Sequence, residues 1–184
     1  MYEWVFEVRL ESDSFGKLTM LISARNAKER HNQNLGVPNG RVAKYGLMAD
    51  VSLESGVDAM IDEAVACFGK IDLLINNAGI MMGGSVVDLP AREWEWAFQV
   101  NCMSQVYAMK RVIPIMKQQG TSCHIVNVAS AAGLVPSYQM PAYTATKQFC
   151  VALTESVSLE LEGSAKNIKL SVFCPGFVKT SLHI

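Results

Sequence analysis

Four short runs in this chain are apolar along nearly their whole length: Leu18 to Ser23 (LTMLIS), Ile71 to Ile75 (IDLLI), His124 to Val128 (HIVNV) and Ile168 to Phe173 (IKLSVF). Stretches of helical periodicity separate them. A strand with apolar side chains on both sides of its pleat needs cover on both faces, and the sheet that provides this is a parallel one flanked by helices. The order strand, helix, strand, helix therefore predicts an α/β fold: a doubly wound, mostly parallel sheet of Rossmann type over residues 17–184. In 184 residues this makes one domain. Residues 1–16 do not fit that pattern. Tyr2, Trp4, Phe6, Val8 and Leu10 are interleaved with Glu3, Val5, Glu7, Arg9 and Glu11, the mark of a strand wet on one face. They suit an edge strand better than a central one.

The helices can be placed from their spacing. Ser52 is placed to cap a helix that buries Val57, Met60, Ile61, Ala64, Val65 and Phe68 and stops at Gly69. Trp94, Phe98, Cys102, Val106, Met109, Ile113 and Met116 mark one side of a long helix, which Pro114 should kink or interrupt. Ala142 to Leu161 forms another helix, and the polar stretch Asn26 to Leu35 follows LTMLIS.

Composition narrows the function. With 16 Lys+Arg against 17 Asp+Glu there is no cationic excess to neutralise nucleic-acid phosphates. No apolar run approaches the length of a membrane span, and acidic residues interrupt the first eleven positions where a leader's apolar region would sit. The five cysteines are widely spaced, odd in number and set among apolar neighbours, as expected of reduced thiols in a cytoplasmic protein. The three histidines are too scattered to ligate zinc.

Ligands of doubly wound sheets bind beyond the carboxyl ends of the strands, so the residues that follow each strand are the candidates for chemistry. Tyr143 and Lys147 are four apart on a helix and share a face. A neighbouring ammonium favours the phenolate and lowers the tyrosine's pKa, which makes the phenol useful as an acid–base group near neutrality. Ser130 follows HIVNV, where its hydroxyl can hold a carbonyl oxygen that gains charge, or can simply cap a turn. Asn76-Asn77-Ala78-Gly79 follows IDLLI, and Asn101 needs a buried partner on an apolar helix face. Pro175-Gly176 follows the last strand. Met81, Met82, Leu134, Val135, Tyr138 and Met140 are candidates for an apolar pocket wall.

Together, Asn76-Asn77-Ala78-Gly79, Asn101, Ser130, Tyr143, Lys147 and Pro175-Gly176 resemble the short-chain dehydrogenase/reductase family in order and spacing. Asp50-Val51 and Phe68-Gly69-Lys70-Ile71-Asp72 extend the likeness, which covers about residues 17 to 184. The resemblance implies an NAD(P)-dependent oxidoreductase that moves hydride between the cofactor and an alcohol or ketone. In that scheme Tyr143 is the general acid/base, Lys147 tunes it and binds the nicotinamide ribose, Ser130 orients the carbonyl and Asn101 holds a relay water. Asp50, Val51 and Asn76 would line the adenosine side; Val178 and Thr180 would meet the carboxamide; Ala78, Gly79, Pro175 and Gly176 would complete the cofactor site. Arg25, with Lys28 and Arg30 near it, suits a 2′-phosphate and favours NADP(H) over NAD(H).

The likeness is incomplete. The family opens with a strand and a Gly-rich turn that seats the pyrophosphate; ahead of LTMLIS this sequence has only Gly16, and the later Gly36, Gly40 and Gly46 have the wrong spacing. The substrate-covering loop expected after Pro175-Gly176 is also lacking. An alternative reading is therefore a non-catalytic family member that oligomerises through the helices at Trp94 to Met116 and Ala142 to Leu161, the pair expected to build a homodimer or homotetramer. A sugar-nucleotide epimerase shares the tyrosine and lysine but fits Asn76-Asn77-Ala78-Gly79 and the short length less well.

Overall fold

The computed structural model describes residues 49–176 together with two strand backbones, β1 (Phe6–Glu11) and β2 (Lys17–Ser23). Beyond these the described chain runs α1 (Glu54–Phe68), β3 (Leu73–Asn76), α2 (Ala91–Phe98), a π-helical turn (Gln99–Met103), α3 (Ser104–Gln119), β4 (Cys123–Val128), a 3-10 turn (Ala131–Gly133), α4 (Pro141–Ser164) and β5 (Ile168–Phe173). The five strands form one sheet in the order β1-β2-β3-β4-β5. The stretches Asn26 to Leu35 and Arg41 to Met48 lie outside the described residues.

β3, β4 and β5 are parallel, with Asn76 opposite Asn127 and Val128 opposite Phe173, so their carboxyl ends share one rim. This is the Rossmann-like core that the apolar runs predict. The run LTMLIS does form a strand, β2, but it lies antiparallel to β3 and not among the parallel strands. Ser23 pairs with Leu73 and Met20 with Asn76, so β2 ends at the amino edge of β3, opposite the rim. An apolar run specifies burial and is indifferent to strand direction. β1 pairs antiparallel with β2 and lies at the sheet's edge.

Burial alternates along the central strands. Leu74 and Asn76 of β3 and Cys123, Ile125 and Asn127 of β4 are buried, whereas Leu73, Ile75, His124 and Val126 are half-buried. The buried face carries the helices. Val57, Met60, Ile61, Ala64 and Phe68 of α1 join Ala108, Met109, Val112 and Met116 of α3 in a core against Leu74, Ile125 and Ile168. Covering this cluster supplies the main driving force, about 1.5–3 kcal/mol for each large apolar side chain. Among the described residues the expected cover on both faces is seen on this face only.

Two helix details differ from the sequence expectation. Leu53, not Ser52, occupies the cap position of α1; Ser52 instead donates its backbone N–H and its hydroxyl to the Asp50 carboxylate, at 2.9 and 2.6 Å. Gly69 does end α1, in the left-handed conformation (φ 75°) that a glycine adopts without steric cost. The long helix is continuous through Pro114 and is interrupted at Gln99–Met103. The π-helical turn adds a residue and rotates the buried stripe, so Ala97, Val100, Ser104, Ala108, Val112 and Met116 face inward. Phe98, expected inside, is 42% exposed and meets Phe149 edge-on.

Candidate active site

The rim shared by β3, β4 and β5 gathers most of the singled-out residues. Beyond it the segments are tied by backbone hydrogen bonds: Ala129 N–H donates to Phe173 O and Ala131 N–H to Pro175 O, each at 2.8 Å. Ser130 and Pro175-Gly176 are thereby neighbours. The Ser130 hydroxyl caps the 3-10 turn by accepting from Ala132 N–H at 3.2 Å, and its own proton remains available to donate. That turn packs on α4, where a Cβ on Gly133 would lie 2.7 Å from the Lys147 carbonyl oxygen. Only glycine permits this approach.

Lys147 reaches the same rim. Its side chain is 4% exposed, and its amine donates to the Val128 carbonyl at 3.0 Å while lying 5.7 Å from the centre of the Tyr143 ring. Burial pushes the Lys147 ammonium below its ordinary pKa, a trend opposed by the nearby thiols of Cys150, Cys102 and Cys174. Burial likewise pushes the Cys102 thiol up to about 12, so it stays protonated. The described thiols are unpaired, with Cys102, Cys123 and Cys150 buried and Cys67 and Cys174 half-buried.

Asn101 sits in the π-helical turn, fully buried, and its amide joins three parts of the site. Its Nδ2 donates to Ile80 O at 2.9 Å and to Thr146 Oγ1 at 3.0 Å; its Oδ1 accepts from Ile80 N–H at 2.7 Å. Thr146 Oγ1 in turn donates to the Tyr143 carbonyl at 2.8 Å. A Cβ on Gly79 would lie 3.3 Å from both Asn101 Oδ1 and Lys147 Nζ. Gly79 thus leaves the space that both polar groups face. Ala78 is buried beside it.

A second polar network lies under the rim. Asn76 Nδ2 donates to Asn127 Oδ1 at 2.8 Å, Asn127 Nδ2 donates to Thr154 Oγ1 at 3.0 Å, and Thr154 donates to Cys150 O at 2.7 Å. Asn76 Oδ1 is buried and has no hydrogen-bond partner among the described residues. Asp50 is exposed at the start of the described segment, and Val51 is fully buried. Arg25, Val178 and Thr180 lie outside the described residues.

Asn127, Thr146, Thr154 and Gln105 were not singled out by sequence. Asn127 did carry a signal: a polar amide inside an apolar central strand has to be paired. Thr146 carried none beyond its place between Tyr143 and Lys147.

Comparison with known proteins places this geometry. A family model described as short chain dehydrogenase matches residues 16–184. A "CLA biosynthesis dehydrogenase/reductase" of Lactiplantibacillus plantarum is 53% identical over 135 residues, 73% of this chain and 47% of that protein. A D-beta-hydroxybutyrate dehydrogenase of Rhizobium meliloti is 35% identical over 147 residues, 80% of this chain and 55% of that one. Among solved structures, a short chain dehydrogenase/reductase of Burkholderia phymatum in complex with NAD superposes with a TM-score of 0.73 at 39% identity, covering 74% of this chain and 49% of that one. The chain therefore spans about half the length of these relatives.

Proposed function

Since the chain belongs to the short-chain dehydrogenase family, we propose that it works as, or within, an NAD(P)-dependent oxidoreductase acting on a secondary alcohol or its ketone. The observation that carries this reading is the buried Lys147 amine beside the Tyr143 ring, on the rim where Ser130 and Asn101 also lie. The residues fit the nicotinamide end of such a cofactor. Lys147 has donors left after its bond to Val128, and Gly79 leaves space in front of them. When bound, the nicotinamide supplies or accepts the hydride.

The protein's own groups do the rest. Tyr143 takes the proton from an alcohol or returns it to a carbonyl oxygen. Ser130 donates its hydroxyl proton to that oxygen and fixes its direction. Lys147 holds its amine 5.7 Å from the centre of the phenol ring. Asn101 has a lone pair of Oδ1 left for a relay water on the Gly79 side, and its amide locks the turn of α4 that bears Tyr143. Asn76, Ala78, Pro175 and Gly176 would border the cofactor, with Asp50 and the Val51 backbone toward adenosine and Val178 and Thr180 toward the carboxamide.

NADP(H) is favoured over NAD(H) on the charge of Arg25, Lys28 and Arg30 alone, because β2 ends at the sheet edge away from the rim. The NAD bound to the Burkholderia phymatum protein argues the other way. Paired Kd values for NADPH and NADH decide it.

For the substrate, the rim favours apolar flanks. Residues 77–87 and 129–146 contain no charged side chain, and Leu134, Val135 and Tyr138 are 64%, 68% and 89% exposed. Among the described residues these two segments offer a hydroxy acid's carboxylate no cation, and Lys147 beside them is buried.

The working form is proposed to be a homodimer or homotetramer in the cytoplasm. Leu159, 70% exposed on α4, favours a helix-mediated contact, and among the described residues no helix is long and apolar enough to cross a membrane. Light scattering reports the assembly.

The test is absorbance at 340 nm with a panel of ketones, run with NADPH and with NADH. Turnover is expected to rise with apolar chain length and to vanish in Tyr143→Phe. Absence of cofactor binding at millimolar concentration would overturn the reading.

A further inference from the structure

The turn that presents Asn101 is held by two buried polar side chains, Ser104 and Gln105. In a continuous α-helix the Val100 and Asn101 carbonyls would accept from the backbone N–H groups of Ser104 and Gln105. Here the Ser104 N–H reaches back to Gln99 O, the π-type pairing, and Val100 O loses its α-helical donor. The Ser104 hydroxyl takes that place, donating to Val100 O at 2.6 Å, and the Gln105 amide donates to Asn101 O at 3.0 Å. Gln105 also lies near the Cys150 thiol, three residues along α4 from Lys147.

Both side chains are unusual for where they stand. Ser104 is 2% and Gln105 1% exposed, on the face of α3 that otherwise buries Ala108, Met109, Val112 and Met116. Gln105 Oε1 has no hydrogen-bond partner among the described residues. An apolar residue would fill that space without an unmet acceptor, so stability alone does not select an amide there. The amide does hydrogen-bond the carbonyl of the residue whose side chain bridges Ile80 and Thr146.

We propose that Ser104 and Gln105 are positioning residues, which stabilise the π-helical turn and thereby aim the Asn101 amide at Thr146 and the turn of α4 that carries Tyr143. This rests on the oxidoreductase reading of the site for its kinetic consequence but not for its geometry. A side chain displaced by about 1 Å from its productive position can cost up to about a hundredfold in rate.

The experiment measures two quantities in Ser104→Ala, Ser104→Thr, Gln105→Met and the parent: exchange protection of the Asn101 side-chain amide by 15N NMR, and kcat and KM for a responsive ketone. Ser104→Ala and Gln105→Met are expected to lose Asn101 protection at least about tenfold and to lower kcat by a similar factor, with KM within about twofold. Ser104→Thr, which keeps the hydroxyl, should restore both. Gln105→Met, which keeps the volume, should match the parent in Tm. Unchanged Asn101 protection in folded Ser104→Ala and Gln105→Met overturns the proposal, as does a Thr variant no better than Ala. A parent without turnover refutes the oxidoreductase reading and leaves the NMR outcome to decide this one.

Discussion

The two ends of the sheet obey different rules. At one end β3, β4 and β5 run parallel, their carboxyl ends meet, and Asn76, Ser130, Lys147 and Pro175 collect there. At the other, β1 and β2 form an antiparallel hairpin, and β2 runs against β3. Parallel strands joined by helices bring every post-strand loop to one rim; antiparallel neighbours send alternate loops to opposite rims. The parallel part can therefore assemble a site from residues far apart in sequence, whereas β2 ends, at Ser23, on the opposite edge.

This contrast can be broken experimentally. Lys147→Met should give the largest effect, a loss of roughly 10²- to 10⁴-fold in kcat. It also separates function from stability. The Lys147 pKa lies below its ordinary value of 10.5 when folded because burial disfavours the charge. The unfolded chain therefore binds that proton more tightly, and stability rises with pH between the lowered value and 10.5. Urea titrations of parent and variant should show the parent gaining on Lys147→Met as pH rises through that window; a pH-independent difference would mean that the amine titrates normally.

Asn127→Ala should follow, costing about 2–4 kcal/mol, because it strands Asn76 Nδ2 and Thr154 in a buried network and leaves a cavity. A loss below 1 kcal/mol would show that the network under the rim carries little. Gly133→Ala should cost about 1–3 kcal/mol, because the new methyl meets the Lys147 carbonyl and forces the Ser130 turn off α4. Differential scanning calorimetry checks both. Removing residues 1–11 should have the smallest effect on the site, changing kcat by less than about twofold, since β1 touches the parallel strands only through β2. A larger drop would mean that the hairpin supports the rim after all.

Much of this was legible in the sequence. IDLLI, HIVNV and IKLSVF are the parallel strands β3, β4 and β5, within two residues at each end. The apolar positions of α1 are nearly all its buried ones: Val57, Met60, Ile61, Ala64 and Phe68. Tyr143 and Lys147 share a helix face, as a spacing of four requires. The failures share a cause. LTMLIS reads as buried but says nothing of direction. The interruption expected at Pro114 occurs at Gln99–Met103, where the deciding hydrogen bonds come from Ser104, Gln105, Ile80 and Thr146. Two of those partners lie more than twenty residues from the residues they hold.

By itself the amino-acid order determined most strands and helices, the face that α1 buries and which hydroxyl, phenol and amine follow the strands, because those properties depend on neighbours within a few positions. Only the tertiary structure decided that β2 runs backwards, that the long helix opens into a π-helical turn at Asn101, and that Lys147 bonds the Val128 carbonyl. Each of these is a choice between local conformations of similar energy, settled by a contact with a distant part of the chain.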